Sequence, residues 1–302
     1  MVEVKRDLLT VYDEAPLTAR FWASYACLVL DGTLETFDFY IVGFLIAVLG
    51  PQWHLTFGQS AVMLFSAGAG AIVGSMISGS LADAFGRRAL VVAGTFICAL
   101  SAGALSLVPD GAWWLFALLR FGVGFGLAGA LTCEITMVVE LTPTRYRSFL
   151  PGLIGFFHNS GTLLASIVAA LLLALVGWRG VAAVGVIPVF VGILIWMVVP
   201  ESMRWLVTKG RIDEARAGVA WLTKQPIENI PAPSSPPASV QPVRLRDLYV
   251  DPQRFWMVVI IGWAHPPQIT AFISGGRRLS RCRLVSHPRM PRRISCWSLP
   301  SA

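Results

Sequence analysis

The sequence predicts an all-α membrane protein built around six transmembrane helices. Hydrophobic residues make up 55% of the 302 residues and charged residues only 14%, and the mean hydropathy is +0.67. Apolar runs of about 20 residues, the length that crosses a bilayer as a helix, follow one another along the chain. Lys and Arg concentrate in every second connection between these runs, which is typical of multi-span proteins.

Six apolar runs separated by short polar turns define the predicted spans. They are residues 21–49, 60–81, 89–108, 112–141, 149–176 and 181–199. A seventh run, residues 255–263, is too short to cross a bilayer. Because residues 1–20 are polar and charged, we expect no cleavable signal peptide.

The charges of the loops predict the orientation. Lys and Arg lie before the first span, after the second, after the fourth and after the sixth, whereas the other turns contain only Arg179. Positive residues mark the cytoplasmic side of a membrane protein. We therefore expect a multi-pass protein of the cell inner (plasma) membrane with a cytoplasmic N-terminus.

The turn after the second span carries the most specific motif, Gly79-Ser-Leu-Ala-Asp83-Ala-Phe-Gly86-Arg87-Arg88. A basic turn that only sets the topology would not require Gly79, Asp83 and Gly86 at these offsets. Gly79 is expected to let another helix approach closely. The motif resembles the signature loop after the second helix of the major facilitator superfamily. That resemblance implies the N-terminal six-helix bundle of a two-bundle transporter, truncated here at the start of helix 7.

Three acids in the first span share one helical face. Asp31, Glu35 and Asp38 are four and three residues apart, close to the helical repeat of 3.6. An ionisable group at bilayer depth costs about 2.5–3.5 kcal/mol, so this stripe should face a cavity, water or cations. We interpret it as a stripe that handles protons or substrate. Internal ion pairing and a wet helix end remain open, and Asp31, nearest the cytoplasm, is the best candidate for a structural role.

The fourth span supplies an intramembrane cation, Arg120, followed by a glycine-rich stretch. From the helix rise, Arg120 lies ~12 Å and Asp38 ~17 Å from the outer ends of their spans. A long arginine side chain bridges that difference, so Arg120 is predicted to pair with Asp38 more readily than with Asp31. The stretch resembles the superfamily's fourth-helix motif, which implies proton coupling.

Further motifs follow in the superfamily's order. Glu140-Leu-Thr-Pro-Thr-Arg-Tyr-Arg resembles its second cytoplasmic charge cluster, Gly177-Trp-Arg resembles a turn of organic-acid and sugar porters, and Pro200-Glu-Ser-Met-Arg-Trp-Leu resembles their motif after helix 6. Capped, solvated helix ends are the alternative. The resemblance implies a cytoplasmic gating motif made of Gly79, Asp83, Gly86, Arg87, Arg88, Glu140, Arg145, Arg147, Glu201 and Arg204.

Other polar residues lie inside the later spans. His158 and Asn159 in the fifth span are candidates to line the substrate path, with a helix-packing hydrogen bond as the alternative. Glu134 lies toward the cytoplasmic end of the fourth span and is assigned to the gate charges. The cysteines of the spans show no metal spacing, so we expect small core residues and no metal or other cofactor.

The composition changes beyond the sixth span. Residues 200–254 are predicted to form a central cytoplasmic loop with a short amphipathic helix, followed by a Pro- and Ser-rich linker. Residues 264–302 contain seven Arg and no Lys, Asp or Glu. We interpret this tail as an out-of-frame reading, with a genuine basic tail as the alternative. The remaining 17 basic and 17 acidic residues balance, so no nucleic-acid partner is predicted.

Taken together, the motifs favour a secondary active transporter. The predicted activity is proton-coupled symport of a small organic acid, aromatic or carboxylic, with a sugar or other metabolite porter as the alternative. The expected partners are protons, the small-molecule substrate, the lipid bilayer and the missing C-terminal half or a second copy in a homodimer. We expect the monomer to be transport-incompetent. An intramembrane enzyme is disfavoured because metalloprotease, nucleophile-elbow and phosphate-loop motifs are missing.

Overall fold

The computed structural model describes residues 8–231. The chain divides into two units, Met1–Val240 and Gln241–Ala302, and every described residue lies in the first. The predictions for the seventh run, for the tail and for most of the linker lie outside the described residues. Within 8–231 the regular structure is helical, without strands: α1 (Leu8–Glu14), α2 (Ala19–Gln52), α3 (Phe57–Phe85), α4 (Arg87–Ala104), α5 (Trp113–Leu141), α6 (Leu150–Val184), α7 (Pro188–Val198), α8 (Met203–Thr208) and α9 (Ile212–Thr223).

The described residues contain five helical stretches long and apolar enough to cross a membrane, and the last of them, Leu150–Val198, has 49 residues. Its backbone leaves helical geometry at Gly177 (φ 67°, ψ −179°), a conformation that glycine adopts without strain. Trp178 then packs edge-to-face against Trp53 at the end of α2, whereas the Val199 carbonyl accepts a hydrogen bond from Arg88 at the start of α4. The chain therefore reverses at Gly177, and the predicted six-span bundle is confirmed.

Local signals set the ends of the helices that carry the site. Thr56 and Gln59 form a capping box at the start of α3, each side chain accepting a hydrogen bond from the other residue's backbone N–H. Gly86 ends α3 with a φ of 103°, and α4 begins at the next residue. Only a residue without a side chain takes this conformation easily. Gly86 alone therefore reverses the chain between α3 and α4.

Small residues bring α3 and α4 against α5. A side chain at Gly70 or Gly74 of α3 would meet backbone atoms of α5, and one at Gly124 of α5 would meet the Ala67 carbonyl of α3. Gly94 of α4 and Gly126 of α5 face each other in the same way. Without side chains between them, the backbones gain close van der Waals contact.

Gly79 does not take part in this packing, and its predicted close contact with another helix is not seen within residues 8–231. It is exposed, and no atom lies within 4 Å of where its side chain would be. The buried face of α3 continues from Gly74 through Ser78 to Ala82, at the four-residue spacing of one helix face. Gly79 is one residue, or about 100°, away from that face.

Replacing Gly124 by Ala tests the glycine contact. The added methyl group collides with the Ala67 carbonyl and forces α3 and α5 apart, so we expect a loss of about 1–3 kcal/mol in the free energy of unfolding. Gly129→Ala is the matched control on the same helix because nothing lies within 4 Å of its added methyl. Thermal unfolding in detergent, followed by circular dichroism, measures both variants. Equal stability of the two would contradict this packing.

Candidate functional site

The three acids of α2 lie on one buried face of the bundle. Asp31 and Glu35 have no exposed surface and Asp38 is 2% exposed. Thr95 of α4 donates a 2.7 Å hydrogen bond to Oδ2 of Asp31. Oδ1 of Asp31, both oxygens of Glu35 and Oδ2 of Asp38 have no hydrogen-bond partner. The common face predicted from the spacing is thus confirmed, and most of its polar atoms are unpaired.

Arg120 of α5 reaches the expected position on α2 but bonds different atoms. It is 1% exposed, and its guanidinium donates to the backbone carbonyls of Asp38 at 2.7 Å and Phe39 at 2.9 Å. No ion pair joins it to the Asp38 carboxylate among the described residues, so that part of the prediction is wrong. The reason is geometric, because two successive carbonyl groups match the two donors of the planar guanidinium fork.

His158 of α6 lies next to the acids of α2, whereas Asn159 does not. The imidazole Nε2 lies 3.1 Å from Oε1 of Glu134 and directly over Gly32, where a side chain would collide with it. Asn159 is exposed and donates to the Gly155 carbonyl of its own helix at 2.6 Å. Of the two candidates in the fifth span, only His158 joins the buried polar group.

The position of Glu134 differs from its assignment to the gate charges. It is fully buried, bonds His158, and lies close enough to Asp31 for their charges to interact. The sequence contains a signal for this placement. Glu134 follows Arg120 by 14 residues, about four helical turns, so both side chains project from the same face of α5.

The gating residues meet at the end of the bundle that carries Arg87, Arg88 and Glu201, the charged end. Oε1 of Glu201 accepts hydrogen bonds from three backbone N–H groups, those of Arg87 at 2.9 Å, Arg88 at 3.0 Å and Ser202 at 2.9 Å. A carboxylate here satisfies free donors at the start of α4 and lies at the positive end of its dipole. A side chain at Gly86 would collide with this carboxylate.

Two further acids connect the three motifs at the charged end. Arg87 lies 3.2 Å from Asp83 and 3.8 Å from Glu140. The Ser202 hydroxyl donates to the Glu140 carboxylate. Trp205 of α8 donates to the Asp83 carbonyl at 3.1 Å. The ends of α3, α4, α5 and α8 are therefore joined in one polar network.

A second group of contacts at the charged end involves α1, which carries no motif. Asp13 lies 3.2 Å from Arg147 and 3.8 Å from Arg204. The neighbouring Tyr12 hydroxyl donates to the Leu141 carbonyl, and burial raises the pKa of this phenol well above its usual range. Arg145 is exposed and is seen only against the ring of Tyr146, so it stays outside this group.

The turn at Gly177 forms the opposite end of the bundle. Arg179 lies 2.9 Å from Asp110 and stacks on Trp178 at 4.3 Å. Trp53 donates to the same Asp110 at 3.2 Å. Within residues 8–231, no group of three His, Cys, Asp or Glu side chains is placed to hold a metal ion.

Several known transporters are similar in sequence to this chain. The niacin transporter NiaP of Acinetobacter baylyi is 30% identical over 209 residues, which cover 69% of this chain and 47% of the relative. The 4-hydroxybenzoate transporter PcaK of Pseudomonas aeruginosa is 29% identical, covering 69% and 46%. The arabinose-proton symporter of Bacillus subtilis is 29% identical, covering 67% and 46%. The chain thus spans about half the length of these relatives.

A solved structure and a family match agree with these relatives. The partially occluded inward-open xylose transporter XylE from E. coli superposes with a TM-score of 0.57 at 24% identity, covering 70% of this chain and 57% of that one. The family described as Sugar (and other) transporter matches residues 25–234. These matches support the family resemblance that the motifs suggested. The chain is a multi-pass membrane protein and belongs to the Sugar (and other) transporter family of the major facilitator superfamily.

Proposed function

We propose that this bundle is one half of a proton-coupled symporter for a small organic acid, aromatic or carboxylic. The observation that carries the proposal is the buried contact between α2 and α5. There Arg120 donates to the backbone carbonyl of Asp38, while Oδ2 of the Asp38 carboxyl group has no hydrogen-bond partner. Relatives named for niacin and 4-hydroxybenzoate support the substrate class. The proposed location is the inner (plasma) membrane with α1 on the cytoplasmic side.

Protonation of Asp38 changes what Arg120 bonds. An ionised Asp38 carboxylate in this dry position needs the guanidinium, because a buried charge without a partner is strongly disfavoured. A protonated Asp38 does not, and Arg120 then serves the two carbonyls that it bonds here. Proton binding thus exchanges one set of hydrogen bonds between α2 and α5 for another, which couples the proton to the relative position of the two helices.

The charged end supplies the other moving part. Its network links helix ends through Glu201, Glu140 and Arg87, and we propose that these contacts hold one side of the transporter closed. Opening that side requires Glu201 to release the start of α4. In the proposed cycle, substrate binds between this bundle and a second six-helix bundle, and the two rock against each other.

Uptake by proteoliposomes containing the 302-residue chain tests the proposal. An unpaired monomer should transport nothing. Where two copies pair and supply the two bundles, we expect saturable uptake of radiolabelled 4-hydroxybenzoate or nicotinate under an inward proton gradient, and its loss when a protonophore dissipates the gradient. Raising the protein-to-lipid ratio should increase uptake per chain if two copies supply the two bundles, and crosslinking in the membrane identifies such pairs. Saturable uptake that a protonophore leaves unchanged would contradict the proposed proton coupling.

A sugar porter is the second candidate. The fold likeness to XylE and the similarity to an arabinose-proton symporter favour it. The same proteoliposomes distinguish the two candidates, because radiolabelled xylose and arabinose are offered alongside the aromatic acids. Saturable uptake of a sugar without uptake of either acid would assign the sugar porter.

A further inference from the structure

A second group of buried acids lies apart from Asp38 and Arg120. Glu35 is fully buried, and neither of its oxygens has a hydrogen-bond partner. Its charge interacts with those of Asp31 and Glu134. Oδ1 of Asp31 and Oε2 of Glu134 are also unpaired. Three buried carboxyl groups on α2 and α5 therefore carry four oxygen atoms without a hydrogen-bond donor.

The nearest cations do not neutralise this group. Arg120 is committed to the carbonyls of Asp38 and Phe39. From α4, the facing groups are the hydroxyl of Thr95, which bonds Asp31, and the thiol of Cys98. From α6, the facing group is the imidazole of His158, which bonds Glu134.

His158 connects the group to the surface of the bundle. Its side chain is 13% exposed, whereas that of Glu134 is not exposed at all. The imidazole lies over Gly32 of α2. It fits there because Gly32 has no side chain. Gly161, one turn after His158, packs against the backbone of Thr33. The close contact between α6 and α2 thus fixes the imidazole at the edge of the acid group.

We propose that Glu35, Glu134, Asp31 and His158 form a second proton-binding site, separate from Asp38 and Arg120, with His158 as its entrance. His158 and Glu134 share one proton across their hydrogen bond, and Glu35 holds another. Thr95 and His158 each bond only one oxygen of one carboxyl group, and Glu35 has no donor at all. Three ionised carboxylates with so few donors are not tolerated in a dry interior, since unpaired buried charges take up protons instead.

Infrared spectroscopy of the purified 302-residue chain in lipid films tests this site. A protonated carboxyl group absorbs through its C=O stretch, apart from the ionised form. We expect this band at neutral pH and the loss of one component in Glu35→Gln. In His158→Gln, Glu134 loses its partner and takes up a full proton, so the band should gain a component. The double variant His158→Gln/Glu134→Gln should lack that gain.

Asp38→Asn is the matched control. Asp38→Asn removes the band component that belongs to Asp38. In the Asp38→Asn background, Glu35→Gln should still lose its component and His158→Gln should still gain one. That result separates this site from the proposed coupling residue. The amide I band reports whether each variant keeps its helices. Glu35→Gln is isosteric, so this variant alone tests whether the second proton-binding site exists, even if the histidine variant fails to fold. A Glu35→Gln spectrum with an unchanged carboxyl band would overturn the second site, whatever the uptake assay gives.

Discussion

Asp38→Asn is expected to abolish proton-driven uptake by a transporter that contains both bundles, and to leave substrate exchange intact. Asparagine keeps the size of the side chain but neither ionises nor binds a proton, so Arg120 remains on the carbonyls of Asn and Phe39 throughout the cycle. Exchange of substrate across the membrane needs the bundles to rock but does not need a proton to be released. We therefore expect complete loss of accumulation under a proton gradient, with near-normal counterflow from preloaded liposomes.

Proteoliposome uptake as a function of external pH provides the measurement. Asp110→Asn is the control, because this acid is 70% exposed at the opposite end of the bundle and pairs with Arg179 at the surface. Its pH dependence should match that of the unchanged chain. If Asp38→Asn kept the same pH dependence, the assignment of Asp38 as the coupling residue would fail.

The sequence was sufficient for the spans and for the buried face of α2. Both follow from local periodicity, because a run of about 20 apolar residues and a spacing of four and three residues are properties of one helix. The motif at residues 79–88 likewise placed the turn between α3 and α4. The break at Gly177, which divides the 49-residue stretch Leu150–Val198, was anticipated from the Gly177-Trp-Arg turn.

The remaining contacts depend on how helices pack, which one helix does not specify. Glu134 was assigned to the gate, yet it meets His158 from a helix that follows 24 residues later. Asp13 lies in a stretch without a motif and meets two arginines more than 130 residues away. For Arg120, helix rise gave the correct depth but could not choose between a carboxylate and the neighbouring carbonyls.

Glu201→Ala should destabilise the charged end more than any other single change there. It removes the acceptor of three backbone N–H groups and the negative charge at the start of α4. Losing a helix cap costs about 1 kcal/mol, and hydrogen bonds to a charged group contribute about 1.5–3 kcal/mol. Glu201 is only half-buried, so water replaces part of the lost hydrogen bonding. We therefore expect a loss of about 2–3 kcal/mol in the free energy of unfolding.

Two variants separate the charge from the hydrogen bonds in this prediction. Glu201→Gln keeps an acceptor oxygen and loses the charge at the helix start, so it should cost about 1 kcal/mol. Asp83→Asn is the control, because Asp83 is 75% exposed and an exposed ion pair contributes little. Hydrogen exchange of the amides at the start of α4 gives a local readout, and exchange should be fastest in Glu201→Ala. Equal protection in Glu201→Ala and Asp83→Asn would mean that the carboxylate does not hold α4, and the charged end would then have to close through Arg87 and Glu140 alone.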